Sequence, residues 1–200
     1  MMETVKRNLE KNGFEVVVVE NAAEVKAALL NEIPEGAIVG FGGSMTLQDT
    51  GIYEALTERG NKTLWHWKTE PEKRGAVCKE ALFADVYLSS VNALLEDGEI
   101  LNIDGNGNRV AAMFYGPKKV ILVIGKNKIA KTYEEGLERI RTVACPQNAR
   151  RLNRNTPCAT LNRCTDCSSP DRMCTVTSLI EKKPPTMTYK IFLVNEELGY

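Results

Sequence analysis

The stretch Ala37-Ile38-Val39-Gly40-Phe41-Gly42-Gly43-Ser44-Met45-Thr46 decides how the rest of the chain reads. A short apolar run ends in glycines and hydroxyl residues, and a helical pattern starts at Leu47. A buried strand that breaks into such a turn leaves backbone N–H groups facing a crevice. Ser44 or Thr46 can cap the helix that follows, whose N-terminus favours an anion. Ligands of α/β proteins collect at the carboxyl ends of strands. The spacing fits neither a Walker loop nor the GxGxxG dinucleotide fingerprint, so a plain tight turn stands beside the ligand-loop reading.

Strands and helices alternate on both sides of this stretch. Glu3 to Asn12 carries Val5 and Leu9 four apart, a short amphipathic helix stopped by Gly13. Phe14 to Val19 is a continuous β-rich run, read as a strand buried on both faces. Asn21 caps a helix through Leu30 with Val25, Ala28 and Leu29 inward. Leu47 to Arg59 reads as a helix closed by Gly60, Thr63 to Trp67 as a strand, Glu70 to Phe83 as a helix and Asp85 to Ser89 as a strand. This alternation predicts a mostly parallel, Rossmann-like sheet flanked by helices. Asp97-Gly98 marks a hairpin between 93–96 and 99–103. Arg109 to Phe114 is helical, Val120 to Ile124 a buried strand, and Thr132 caps a helix to about Leu152, bent at Pro146. The predicted division is 1–152 as the α/β domain, 153–188 as a cysteine-rich loop segment, and 189–200 as a final strand returning to the body.

Bulk composition narrows the function. The 200 residues suit one domain with a small appendage, and 26 Lys+Arg balance 26 Asp+Glu. Zero formal charge gives no electrostatic case for nucleic acid or an anionic membrane. No run is long enough to span a bilayer and the N-terminus lacks a signal-peptide core, so a cytoplasmic location is expected. Six cysteines in such a chain point to metal or redox chemistry before disulfides. Cys158, Cys164, Cys167 and Cys174 are spaced C-x5-C-x2-C-x6-C among turn formers, and four thiolates on a loop without apolar periodicity can wrap one metal centre. The metal would then supply the folding energy of that segment. The spacing does not separate zinc from an iron–sulfur cluster, and the Cys164-x-x-Cys167 pair favours either over a disulfide-stapled or simply reduced loop. Cys78 and Cys145 read as buried structural thiols.

A second candidate loop follows the strand ending at Ser89. Asn92, Asp104, Gly105, Asn106, Gly107, Asn108 and Arg109 lie near it in sequence, as do the carboxylates Glu96 and Asp97. If both loops share one sheet edge, Gly42, Gly43, Ser44 and Thr46 supply donors there and Arg109 can grip a carboxylate or phosphate. Read singly, each of these is also an ordinary turn residue or helix start. Lys126 and Lys128 follow a strand end and can meet an anion. His66, the only histidine, reads as packed rather than catalytic, and no serine sits in a nucleophile elbow.

Together the motifs resemble the LUD-domain family of lactate-utilisation proteins. The resemblance is carried by Phe41-Gly42-Gly43-Ser44-Met45-Thr46, Ser90-Val91-Asn92-Ala93, Glu96-Asp97-Gly98 and Asn102-Ile103-Asp104-Gly105-Asn106-Gly107-Asn108-Arg109-Val110-Ala111. Gly116-Pro117-Lys118-Lys119-Val120, Gly125-Lys126-Asn127-Lys128-Ile129, Pro146 to Leu152, Thr156 to Cys174 and Glu197 to Tyr200 extend it. It implies the α/β fold shared by ribose-5-phosphate isomerase, glucosamine-6-phosphate deaminase and CoA transferases. In that group the first loop binds phosphate or CoA-like ligands, and a later loop brings a catalytic acid. Asn92 stands about where that acid would be, and an amide cannot serve as the base. Glu96 or Asp97 could substitute, but binding survives this departure better than isomerase or deaminase chemistry does.

The resemblance further implies a component of an iron–sulfur lactate-oxidising system rather than a stand-alone isomerase. Its cofactor would be a four-iron cluster, or zinc, on Cys158, Cys164, Cys167 and Cys174. Its partners would be a small anionic metabolite and iron–sulfur proteins, with a homodimer left open. The alternative is a non-catalytic sensor or scaffold for a phosphorylated or carboxylated metabolite with a structural zinc.

Overall fold

A computed structural model describes residues 1–200. Its main sheet is wholly parallel with strand order β1-β10-β7-β4-β2-β3. These strands are β1 Glu15–Val19, β2 Ile38–Phe41, β3 Lys62–Leu64, β4 Val86–Ser89, β7 Lys119–Gly125 and β10 Thr188–Val194. The central strand β7 shows why the sheet needs cover on both sides. Val120, Leu122 and Ile124 join one apolar cluster and Ile121 and Val123 join the other, as the two-residue side-chain period dictates. Helices α1 Met2–Lys11, α5 Arg74–Ala81 and α6 Asn108–Phe114 belong to the first side; α2 Ala22–Glu32, α3 Met45–Thr50 and α4 Ile52–Glu58 belong to the second. None of the helices is long and apolar enough to cross a membrane.

A second, four-stranded sheet, β8-β5-β6-β9, stands beside the first. Its core is the predicted hairpin, β5 Ala93–Leu95 and β6 Ile100–Asp104, with Gly98 at φ +89° in the turn. The hairpin is flanked by β8 Ile129–Ala130 and β9 Val176–Ile180. Helix α7 Tyr133–Arg139 crosses this sheet so closely that a Cβ on Gly136 would lie 2.7 Å from Leu95 Cδ2.

Several expectations are corrected. Strand β1 is not buried on both faces: it is an edge strand in which Val16 is buried and Val17 to Val19 are half-exposed. The helix expected over 47–59 is two helices, because Gly51 adopts φ +62° and ends α3 before α4 begins. Strand β3 stops at Leu64, and 3-10 turns at His66–Lys68 and Pro71–Lys73 precede α5. The bend attributed to Pro146 is a π-helical turn, Ile140–Ala144, between α7 and α8 Cys145–Arg151. Pro146 has no N–H for the Thr142 carbonyl, and the wide turn absorbs that loss. The cysteine-rich stretch holds a short helix α9, Pro157–Leu161, and ends in β9, which reading by polarity had missed.

Candidate functional site

Strands β7, β4 and β2 are neighbours, so the loops leaving their carboxyl ends meet at one edge of the sheet. The Gly42-Gly43 turn is glycine because nothing else fits. A Cβ on Gly42 would lie 2.5 Å from Ser89 Oγ and 2.9 Å from Arg109 Cγ, and one on Gly43 would lie 3.0 Å from Trp67 Nε1. Of the two capping candidates, Ser44 caps α3, its hydroxyl accepting from Leu47 N at 3.2 Å. Thr46 is fully buried, and its hydroxyl donates to the Leu198 carbonyl at 3.0 Å. Asn127 accepts from Leu198 N at 3.2 Å and donates to Gly199 O at 3.1 Å, and Gly199 N donates to Asp49 Oδ2 at 2.9 Å. The 198–199 segment therefore lies as a strap across the loop expected to hold a ligand.

Arg109 and its neighbours form a closed network behind this edge. The guanidinium donates through Nε to Asp104 at 2.9 Å and through Nη1 to Ser90 O and Asn102 Oδ1, both at 2.8 Å. Nη2 reaches Asn92 Oδ1 at 2.8 Å and Asp104 Oδ1 at 2.7 Å. Four hydrogen bonds and the ion pair with Asp104 thus commit the guanidinium to partners within the protein. The partners are equally occupied. Asn92 Oδ1 also accepts from Ile103 N at 2.9 Å, and Asp104 Oδ2 from Val110 N at 3.1 Å. Arg109 thus clamps the β5–β6 hairpin to the loop after β4.

The structure separates the remaining candidates. Glu96 and Asp97 sit in the hairpin turn, their carbonyls accepting from Asn8 Nδ2 at 2.7 Å and Asn12 Nδ2 at 3.0 Å at the end of α1. That end leads into β1, so both lie toward the amino edge of the sheet, away from the loops. Gly107, at φ +75°, starts α6, and Asn108 Nδ2 lies 3.5 Å from Cys78 Sγ. Asp104 O accepts from Thr175 N at 2.9 Å, and the Gly105 backbone packs against Met173 O. Gly105 and Asp104 thereby join the crevice to the cysteine segment; Asn106 makes no hydrogen bond through its side chain.

All six cysteines are half-buried free thiols. As their side chains stand, no three His, Cys, Asp or Glu groups converge closely enough to enclose an ion. The segment is nevertheless built around its thiols. Asp166 adopts φ +48° and donates its N–H to Cys164 Sγ at 3.3 Å, so the Cys164–Cys167 turn folds back on its first sulfur. Arg172 ties the second half, donating to Cys167 O at 2.6 Å and Cys174 O at 3.0 Å. Cys164 N donates to Arg141 O at 2.8 Å, which seats the turn on the π-helical stretch. Burial pushes the Cys145 thiol up to about 12, with Cys174, Cys164 and Cys158 adding to the shift and Arg141 opposing it. Burial likewise raises Cys174, opposed by Arg172 and reinforced by Cys164, Cys167 and Cys158.

The family model for the LUD domain matches residues 2–194. The chain belongs to the LUD-domain family. Among solved structures, it is similar to a DUF162 family protein from Deinococcus radiodurans, with a TM-score of 0.57 and 15% identity over 97% of this chain and 96% of that one. At that identity the likeness shows the fold alone. No curated protein matches.

In this LUD domain two charged groups stand out: Lys128, which the sequence marks only as a lysine after a strand end, and Arg139, which sequence reading passed over. Lys128 is 3% exposed and hydrogen-bonds through Nζ to Thr46 Oγ1 at 2.8 Å, Ser90 Oγ at 3.0 Å and Val91 O at 3.2 Å. It has no carboxylate partner. Burial, with the nearby positive charges of Arg139 and Arg109, holds its amine well below the ordinary lysine range, against a weaker pull from Asp49. Arg139 donates to Asn127 O at 2.8 Å and Asn92 O at 2.5 Å, and burial lowers it to about 10. The only sequence signal was the position of Lys128 just after a strand end; burial cannot be read from one lysine. His66 is lowered by burial first, then by Arg74 and Arg151.

Proposed function

We propose that this LUD protein serves lactate-type organic-acid utilisation as a redox-linked accessory subunit. It binds a small anionic metabolite at the carboxyl-end loops and carries an iron–sulfur centre on Cys158, Cys164, Cys167 and Cys174. Family membership supports the metabolic setting, and one local observation supports the centre. The N–H···S bond from Asp166 to Cys164, within a Cys-x-x-Cys turn in left-handed conformation, stabilises a thiolate and orients it.

The four cysteines fit such a group chemically, because thiolates suit iron–sulfur clusters and zinc alike. A bound cluster supplies a one-electron relay. The chain's own contribution is to hold the sulfurs: Arg172 fixes the backbone at Cys167 and Cys174, and the π-helical turn anchors Cys164. Closing the ligand sphere requires thiol rotation and loss of the thiol protons.

The test is iron, zinc and acid-labile sulfide content with an absorption spectrum, on protein purified without oxygen. Iron with sulfide, lost in Cys164→Ser, is the expected result. A colourless protein after anaerobic cluster reconstitution overturns the redox role. Stoichiometric zinc would leave the tail structural and favour the sensor or scaffold reading. The ligand half is tested by thermal stabilisation with lactate, pyruvate and phosphorylated acids.

A further inference from the structure

Lys128 is the one buried charge of the carboxyl-end loops that no acid neutralises. Burying an ammonium without a carboxylate is unfavourable, and the site offers two hydroxyls and a carbonyl instead. The three oxygens would satisfy an ammonium donating to each, and they satisfy a neutral amine equally. Thr46 spends its proton on Leu198 O, so its oxygen accepts from Nζ, and Val91 O can only accept. Ser90 Oγ makes no other hydrogen bond and is free to donate its proton to the nitrogen lone pair. A neutral amine with two acceptors and one donor is fully satisfied. The guanidiniums of Arg109 and Arg139 on either side oppose a third positive charge.

Arg139 is placed as the companion of this amine. The two side chains bind consecutive carbonyls, Lys128 that of Val91 and Arg139 that of Asn92, and Arg139 also holds the carbonyl of Asn127 next to Lys128. Arg139 makes no ion pair, its Nη2 has no protein partner, and it lines a hollow of about 490 Å³ with Asn127, Gln147 and Tyr200. The carboxylates on that hollow are Glu135, which accepts from Lys131 N at 2.9 Å, and Glu197, which belongs to the strap. Leu198 of the strap accepts from Thr46, a partner of Lys128, so the strap that bears Glu197 is tied to the amine through one hydroxyl.

We propose that Lys128 is a nucleophilic amine that condenses with a 2-oxo acid, whose carboxylate is met by Arg139. This rests on the organic-acid reading and names the ligand class of that crevice. The amine nitrogen adds to the C2 carbonyl carbon, both nitrogen protons leave with the carbonyl oxygen as water, and a C=N bond replaces the C=O bond. The Ser90 hydroxyl, on the nitrogen, is positioned to pass a proton during that exchange.

The experiment is reductive trapping on the intact wild-type chain: pyruvate or glyoxylate with borohydride near pH 7, followed by peptide mass mapping. Acetaldehyde serves as an uncharged carbonyl control. The expected result is an adduct at Lys128 that exceeds those at exposed lysines such as Lys118 by roughly tenfold, in line with a neutral against a protonated amine. Arg139→Gln should cut trapping of the 2-oxo acids several-fold while leaving trapping of acetaldehyde unchanged. Gly199→Ala should raise both, because a Cβ there would lie 2.7 Å from Thr46 N and Oγ1 and push the strap away. No pyruvate or glyoxylate adduct at Lys128 in either the wild type or Gly199→Ala overturns the proposal. If acetaldehyde alone labels Lys128, the amine is reactive and the organic-acid reading fails. If neither labels it while lactate or pyruvate still stabilises the protein, the organic-acid reading stands and the amine chemistry falls.

Discussion

Replacing Arg109 by Met separates a clamp from a ligand grip. The guanidinium is 8% exposed and satisfies Asp104, Asn92, Asn102 and the Ser90 carbonyl at once. Methionine fills much of the same volume but leaves the Asp104 carboxylate, itself 8% exposed, without its cation. Breaking a buried pair from one side costs about 3–5 kcal/mol. A chain of this size loses about 2–4 °C of melting temperature per kcal/mol, so the drop should be on the order of 10 °C. Asp104→Asn in the Arg109→Met background should recover part of it, because the stranded charge is then removed. Urea and thermal unfolding of the four chains in the cycle, followed by far-UV circular dichroism, measure the free energy and the melting temperature. If Arg109→Met shifts stability by less than about 0.5 kcal/mol, as a free surface cation would, then Arg109 is not structural and its role as a ligand grip returns.

Gly42→Ala should destabilise by about 1–3 kcal/mol, since the new methyl collides with Ser89 Oγ and Arg109 Cγ in the packed turn; chemical denaturation reads it. Glu32 is half-buried between Lys119 and Lys190, with Lys190 Nζ at 2.6 Å. Its burial alone would raise the carboxyl, but the hydrogen bonds and charges of the two lysines win and lower it below 4.5. A depressed carboxyl contributes stability above its unfolded value and loses it as pH falls through the folded one. Glu32→Gln should therefore be less stable by about 1 kcal/mol near neutrality, with the gap to wild type closing in acid below 4.5. Lys128 has the opposite charge type and the same sign: its folded amine titrates below the unfolded 10.5. The unfolded chain binds the extra proton between those values, so wild-type stability should fall as pH is lowered from 10.5 toward the folded value. Lys128→Met should lack that slope, with Arg139, Arg109 and Asp49 unchanged around it. A wild type and Lys128→Met with parallel stability–pH curves would show that the amine stays charged.

The parallel sheet was legible because its signal is local. Apolar runs such as Val120 to Ile124 alternate with capped helices, and three caps, at Asn21, Ser44 and Thr132, take hydrogen bonds from the third residue onward as their spacing suggests. Strand β9 was illegible for a physical reason. It is an edge strand with Val176 37% and Leu179 36% exposed, so its composition matches a loop and only its pairing to β6 makes it a strand. The candidate site was half legible. The sequence placed the loops after the right strands, since glycines at 42 and 43 and asparagines near 92 answer to backbone geometry. It could not say which donors remain free. Arg109 and Lys128 look alike as basic residues near strand ends, yet one is held by four partners and the other is buried without an acid. That difference arises from contacts up to 82 residues apart in sequence, Lys128 with Thr46 for example.

The two predicted sites also prove to be physically joined. Asp104 ends β6, pairs with Arg109 through its side chain, and accepts from Thr175 N through its carbonyl. Thr175 follows Cys174, and Met173 on its other side packs on Gly105. The loop that positions the Arg109 clamp is therefore also the floor on which the last cysteine rests. A cysteine-rich segment with no core of its own is ordered by whatever binds its sulfurs. If those thiols close on a metal as proposed, the free energy gained would bear on β9, on the hairpin it borders, and on the loop after β4 that carries Ser90, Val91 and Asn92. Those are the residues from which Lys128 and Arg139 hang. A metal held as proposed above would therefore act on the same loop whose other face meets the strap through Lys128 and Thr46.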